Sequence, residues 1–296
     1  MIQTRRKQSS EWLQQLYFLG PALLFFTLIV LIPFIMGMYY SFTNWNGVSN
    51  DVTWVGLDNF ITIFTGDEGF KNAFVFTLKF TVTAVVLTNL LGFVLALLLT
   101  RPLRTRNALR TIFFLPNVIG GLLLGFIWQF IFTKGFAAVG DATGMGFFNL
   151  PWLGDATTGF WGVVIVSVWQ GAGYLMVIYI AGLINIPGEL MEAADIDGAN
   201  FLQKLRNIIV PLIMPAVTVC LFLTLSNSFK VFDVVYSLTR GGPYNSTEPV
   251  TMDIYFEAFT NNRMGLGAAK ALIFFLIVAV ITMLQVMITK RKEVQS

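Results

Sequence analysis

The sequence predicts an all-α integral membrane protein with six transmembrane spans, and three observations lead there. Of its 296 residues 56% are hydrophobic and only 12% charged, with a mean hydropathy of +0.72, more apolar surface than a soluble globule can bury. Six apolar stretches recur, each of about 20 residues, the length that crosses about 30 Å of hydrocarbon. Lysine and arginine gather in alternate loops, as they do on the cytoplasmic face of membrane proteins.

The stretches cover 18–40, 74–99, 112–132, 160–184, 211–232 and 268–288, forming one transmembrane domain over 18–288 between tails 1–17 and 289–296. The first follows Arg5, Arg6 and Lys7 as a signal peptide would, but it exceeds a cleavable apolar region and further spans follow, so it is retained. Pro21, Pro33 and Pro116 fall near span ends, where neighbouring helices or water must satisfy the freed carbonyls. Gly121 and Gly125 offer a close-packing face on the third span.

With six alternating helices, Arg5, Arg6, Lys7, Arg101, Arg104, Arg106, Arg110, Lys204, Arg206, Lys290, Arg291 and Lys292 share one side, against Lys71, Lys134, Arg240 and Arg263 on the other. Both termini are therefore expected in the cytoplasm. The net charge of +3 comes from these membrane-flanking clusters, so no nucleic-acid partner is implied.

Several chemistries lack their residues. Histidine is absent and Cys220 is the single cysteine, so no His or Cys metal set is available; Cys220 reads as a small core residue. There is no Gly-Lys dipeptide and hence no phosphate-binding P-loop, so this chain is not expected to hydrolyse ATP or to be an enzyme. Asp233 is the one acid this reading finds near a span; with Lys230 three residues before it, a helix would let the two pair or snorkel.

The cytoplasmic loop 185–210 reads as folded. Pro187 suits a first helical turn, Glu189 and Glu192 favour the positive end of a helix, and Leu190, Met191 and Ala194 give it an apolar face. Asp197-Gly198 reads as a turn and Asn200 as the cap of a second helix, whose Phe201, Leu202, Leu205, Ile208 and Ile209 form an amphipathic pattern. The acids argue against a surface-lying loop, because an anionic leaflet repels them, and favour a protein partner with basic groups.

On this loop Glu192-Ala193-Ala194, Gly198 and Ile208-Ile209-Val210-Pro211 resemble, in residue and spacing, the EAA loop of permeases of binding-protein-dependent ABC importers. Gly56-Leu57-Asp58-Asn59-Phe60, Phe229-Lys230-Val231-Phe232-Asp233 and Leu238-Thr239-Arg240-Gly241-Gly242-Pro243 resemble the compact form of the MalF-type permease, the first of the pair in sugar importers. The resemblance implies the type I ABC importer permease fold and a prokaryotic plasma membrane location. It also implies a second permease, two copies of an ABC ATPase, an external sugar-binding protein, and a sugar substrate moved by alternating access. ATP and magnesium would then be held by the partner ATPase, with no cofactor or metal on this chain. Glu192, Ala193, Ala194, Asp197, Gly198 and Ala199 would couple to that ATPase, Glu192 by engaging a basic residue and Gly198 by permitting the tight turn.

A substrate path is legible from polar residues at membrane depth. Ser167, Gln170, Gly171 and Tyr174 on the fourth span, and Thr224, Asn227, Ser228 and Val231 on the fifth, each share one helix face. Such groups are expected to face protein or water. Their amides and hydroxyls suit a neutral polyol, to which Tyr174 and Trp169 would add flat apolar faces, and they resemble the sugar-lining positions of MalF-type permeases, with Val231 where the family has Asn. The same polar faces also suit hydrogen bonds that merely join helices. They leave open a self-sufficient secondary transporter or channel for a polar solute.

Overall fold

The computed structural model describes residues 17–291 and is built from helices, with one isolated β-bridge, Thr43 to Trp54, among the described residues. Arg5, Arg6, Lys7, Lys292 and most of both tails lie outside the described residues. Among the described residues five helices are long and apolar enough to cross a membrane: α1 (Tyr17–Tyr40), α3 (Glu68–Thr100), α5 (Gly121–Thr143), α6 (Ala156–Ile184) and α12 (Met264–Lys290). The sixth span is a bent pair, α8 (Phe201–Leu212) and α9 (Met214–Phe229), meeting at 72°. Shorter helices are α2 (Asp58–Gly66), α4 (Arg106–Val118), α7 (Gly188–Ile196), α10 (Asp233–Leu238) and α11 (Val250–Tyr255).

Two of the apolar stretches differ from simple spans for local reasons. Within 112–132 the chain leaves the helix at Ile119 and Gly120, both extended, and the spanning helix begins at Gly121. Pro116 withholds an N–H from the last turn of α4 and the following glycines lower helix propensity, so the break is written in residues that an apolar-length count does not weigh. The fifth span bends at Ile213, between Pro211 and Pro215. It ends at Phe229, so Lys230 and Asp233 are separated by non-helical backbone and no ion pair joins them.

The described chain divides into two compact units. One comprises residues up to Gly66 together with Ile254–Ile273; the other runs over Asp67–Asp253 and from Phe274 onward. In the first, α1 buries none of its described residues, and the loop after it is tied by Asn59, whose amide donates to the carbonyls of Ser41 (2.9 Å) and Thr43 (2.8 Å). The same unit holds a charge that the apolar run 268–288 obscured. Lys270, 1% exposed, donates to Glu257 at 2.8 Å, and Arg263 approaches the other carboxylate oxygen at 3.1 Å. A lone lysine at a helix centre in lipid costs about 2.5 to 3.5 kcal/mol, and this pairing offsets that cost.

In the second unit α3 and α6 form the central packed pair. Residues of α3 are buried at 73, 76, 77, 80, 81, 84, 88, 92, 96 and 99, the three-to-four spacing of one helix face. Glycines set how closely its helices approach. A Cβ on Gly173 of α6 would lie 1.8 Å from the Phe113 carbonyl oxygen of α4, so backbone meets backbone there. The Gly121 and Gly125 face packs on α10, where added Cβ atoms would come within 2.8 Å of Asp233 and 1.9 Å of the Ser237 hydroxyl. Toward loop 185–210 the core closes around Leu99, Met176, Tyr179, Leu183, Ile209, Ile213 and Cys220.

Candidate substrate cavity and docking knob

The eight path residues line a single cavity of about 160 Å³ in the second unit. Ser167, Gln170, Gly171 and Tyr174 come from α6; Thr224, Asn227 and Ser228 come from α9, and Val231 from the backbone just beyond it. The opposite wall is α3, through Phe80, Ala84 and Thr88, with Asn117 of α4 completing it. Trp169 does not line the cavity; its ring packs edge-on against Trp128 at 5.4 Å.

Within this set the polar groups divide into two kinds. Gln170 donates its amide to the Ile119 carbonyl at 3.1 Å, satisfying an acceptor freed by the break between α4 and α5. Thr224 accepts from Asn89 at 2.9 Å and donates to the Cys220 carbonyl, while Asn89 in turn accepts from the Tyr179 hydroxyl at 2.8 Å. These groups join helices. Among the described residues Asn227, Ser228 and Tyr174 make no side-chain hydrogen bond, and the Ser167 hydroxyl is buried without a partner. A solute entering the cavity therefore meets hydroxyls and an amide with unused capacity and no charged group. Thr88, Asn89 and Tyr179 were not singled out from sequence; the pair Thr88-Asn89 in the middle of an apolar span carries the same signal that marked the other two helices.

The loop 185–210 forms a compact knob. Pro187 caps α7 and Glu189 lies in its first turn. The helix ends in a two-bond left-handed motif: the Ala199 N–H donates to Ala194 at 2.9 Å and the Gly198 N–H to Asp195 at 3.1 Å. Gly198 holds φ at +73°, a conformation that costs a side-chain-bearing residue about 1 to 2 kcal/mol. Asn200 then caps α8 reciprocally, accepting from the Gln203 N–H at 2.9 Å while the Gln203 side chain accepts from the Asn200 N–H at 2.7 Å. Lys204 of α8 pairs with Asp195 of α7 and closes the two helices on each other.

The knob is anchored on one side and open on the other. Ala194 and Ile209 are buried, and Met191 and Leu205 pack on the core cluster that also contains Tyr179 and Cys220. Ile196, Phe201 and Leu202 point outward at 87%, 56% and 69% exposure, so the amphipathic face expected of α8 divides, its later residues inward and its first two outward. Glu192, Ala193, Asp197 and Gly198 are exposed beside them, and Glu192 has no partner among the described residues. Three large apolar side chains thus stand exposed amid acids on the outer side of the knob.

The model of the family described as "Binding-protein-dependent transport system inner membrane component" matches residues 88–294. The probable starch degradation products transport system permease protein AmyD of Thermoanaerobacterium thermosulfurigenes is 52% identical over 278 residues, covering 94% of either chain. The multiple sugar-binding transport system permease protein MsmF of Streptococcus mutans is 34% identical, covering 88% of this chain and 90% of that relative. Among solved structures, a chain of a bacterial ABC transporter that imports the acidic polysaccharide alginate superposes with a TM-score of 0.84 at 22% identity, covering 98% of this chain and 99% of its own.

Proposed function

Because this chain belongs to the family of binding-protein-dependent transport system inner membrane components, we propose that it is the membrane subunit of an ATP-driven importer of oligosaccharides. The observation that carries the reading is the rigid acidic and apolar knob seated on the same helices that wall an uncharged polar cavity. Relatives named for starch degradation products and multiple sugars favour a neutral carbohydrate, and the cavity's free amide and hydroxyls suit one.

In this reading the chain forms half of the path beside a second permease, receives sugar from an external binding protein, and is driven by two copies of an ATPase that hold ATP and magnesium. Both termini lie in the cytoplasm, as the basic loops favour. The knob supplies the coupling. Glu192 and Asp197 meet basic groups of the ATPase, and Ile196, Phe201 and Leu202 fill its groove. The Lys204–Asp195 pair keeps the two knob helices moving together. Because Met191, Leu205 and Ile209 are packed in the core with Tyr179 and Leu175, a displacement of the knob is transmitted to α6, α8 and α9. Those helices carry Tyr174, Thr224 and Asn227, so the cavity changes its opening as the knob moves.

Two substitutions separate solute binding from helix joining. Asn227→Ala, which removes an amide with no partner among the described residues, is expected to raise the half-saturating sugar concentration for uptake about tenfold with normal amounts of assembled protein. Gln170→Ala leaves the Ile119 carbonyl unsatisfied and is expected to lower the amount of assembled protein. Vesicle uptake over a range of sugar concentrations, read beside detergent-extractable protein, checks both. Unchanged uptake by Asn227→Ala would remove this cavity from the path.

A further inference from the structure

The geometry points to a second sugar subsite in the cavity between the start of α3, the start of α6 and the loop after Gly242, an assignment that rests on the sugar-importer reading above. This cavity, about 620 Å³, lies in the same unit as the first and within the size range of small-molecule sites. It continues the first along the same helix faces. On α3, Asn72 and Phe76 line the second cavity and Phe80, Ala84 and Thr88 the first, each four residues apart. On α6, Thr157 and Phe160 stand above Ser167, Gly171 and Tyr174 in the same way. At 1.5 Å per residue the two centres are separated by about 15 Å along α3 and about 18 Å along α6, a span that a longer oligosaccharide bridges and a disaccharide does not.

The lining suits a pyranose chain. Phe76 and Phe80, 6% and 1% exposed, stack near-parallel with ring centres 6.0 Å apart as a packed apolar wall, and the half-buried Phe160 meets Phe76 edge-on at 6.0 Å, so Phe160 is the ring of this group that a sugar reaches. Asn72, Lys79 and Thr157 present an amide, an ammonium and a hydroxyl that make no hydrogen bond among the described residues. Lys79 is exposed in the first half of a spanning helix, where a wet cavity is the favourable surrounding for an unpaired charge.

Tyr244 completes the site. Its side chain is fully exposed, yet its loop is held firmly: the buried Thr247 donates its hydroxyl to the Gly242 carbonyl at 2.7 Å and its N–H to the Gly241 carbonyl at 3.0 Å, and shares a hydrogen bond with the Thr239 hydroxyl at 2.8 Å. Tyr244 and Asn245 both adopt positive φ, +51° and +59°, a conformation that persists only where surroundings enforce it and that recurs at ligand clamps. A rigidly presented ring with both faces open is a stacking platform for the C–H face of a sugar.

The test uses the assembled transporter in vesicles with α-linked glucose oligosaccharides of two to seven units. Tyr244→Ala and Asn72→Ala are expected to lower uptake of the longer sugars about tenfold more than uptake of the disaccharide. An equal reduction at every length would make the cavity a docking surface for the external binding protein and overturn the subsite. Equal uptake by wild type and both variants overturns it as well. Wild-type vesicles that take up none of these sugars would overturn the α-glucan oligosaccharide reading and the subsite with it.

Discussion

Glu192→Lys is expected to reduce ATP-driven uptake to background while the protein inserts, assembles and extracts in normal amount. Glu192 is exposed on α7 and its side chain bonds to none of the described residues, so replacing it removes no contact among them; surface changes of this kind shift stability by about 0.5 kcal/mol or less. What it changes is the charge offered to the partner. A lysine there meets basic groups with like charge, a juxtaposition that costs several kcal/mol at an interface. Gly198→Val is expected to act in the same direction by another route. The space around Gly198 is open, but its φ of +73° is unfavourable for a β-branched residue, so the turn that aims Asp197 and Asn200 is lost. Uptake by vesicles loaded with ATP, compared at equal amounts of extracted protein, checks both. Normal uptake in both variants would remove the knob from the coupling.

The second large effect is structural. Gly173→Leu is expected to abolish assembled protein, because its Cβ would fall 1.8 Å from the Phe113 carbonyl oxygen and 3.0 Å from the Phe114 Cα, leaving no flexible side chain to move aside. Overpacking in a core that can adjust costs about 1 to 3 kcal/mol, and a contact between two backbones lies at the severe end of that range. Gly171, two residues away, gives a graded comparison. Its added Cβ meets only the Thr88 methyl, at 3.0 Å, so Gly171→Ala is expected to be tolerated where Gly173→Ala is not. Extractable protein and its thermal aggregation midpoint distinguish the two. Equal behaviour would mean that α4 and α6 do not approach as closely as described.

How much of this was legible from residues alone depended on how local the cause was. The knob was readable because its signals act within a few residues: Glu189 in a first turn, Gly198 at a left-handed position, and Asn200 three residues before Gln203. The grouping of Ser167, Gly171 and Tyr174 with Thr224, Asn227 and Ser228 was readable because helical period places them on two faces that membrane depth turns inward. The Gly121 and Gly125 pattern likewise marks a real close approach, to Asp233 and Ser237.

What was not legible depends on partners distant in sequence. Gln170 looked free for a solute, but it is committed to the Ile119 carbonyl 51 positions earlier, and that acceptor exists only because α4 breaks there. Lys270 went unnoticed because one lysine barely lowers the mean hydropathy of 20 apolar residues, and its partner Glu257 lies before the span. Of the two outcomes open to Lys230 and Asp233, pairing or snorkelling, pairing rested on a helix that in fact ends at Phe229. In each case residue type was informative and its surroundings had to be seen.

The central claim is that this chain works only as one part of an assembly driven through its knob. Tagging the chain, extracting native membranes gently and identifying what accompanies it in stoichiometric amount by mass spectrometry tests that most directly. The account predicts a second six-span permease and a P-loop ATPase, with the ATPase lost from the Glu192→Lys preparation. A chain that comes out alone, or only with copies of itself, and still moves solute in vesicles would contradict the account and favour a self-sufficient transporter.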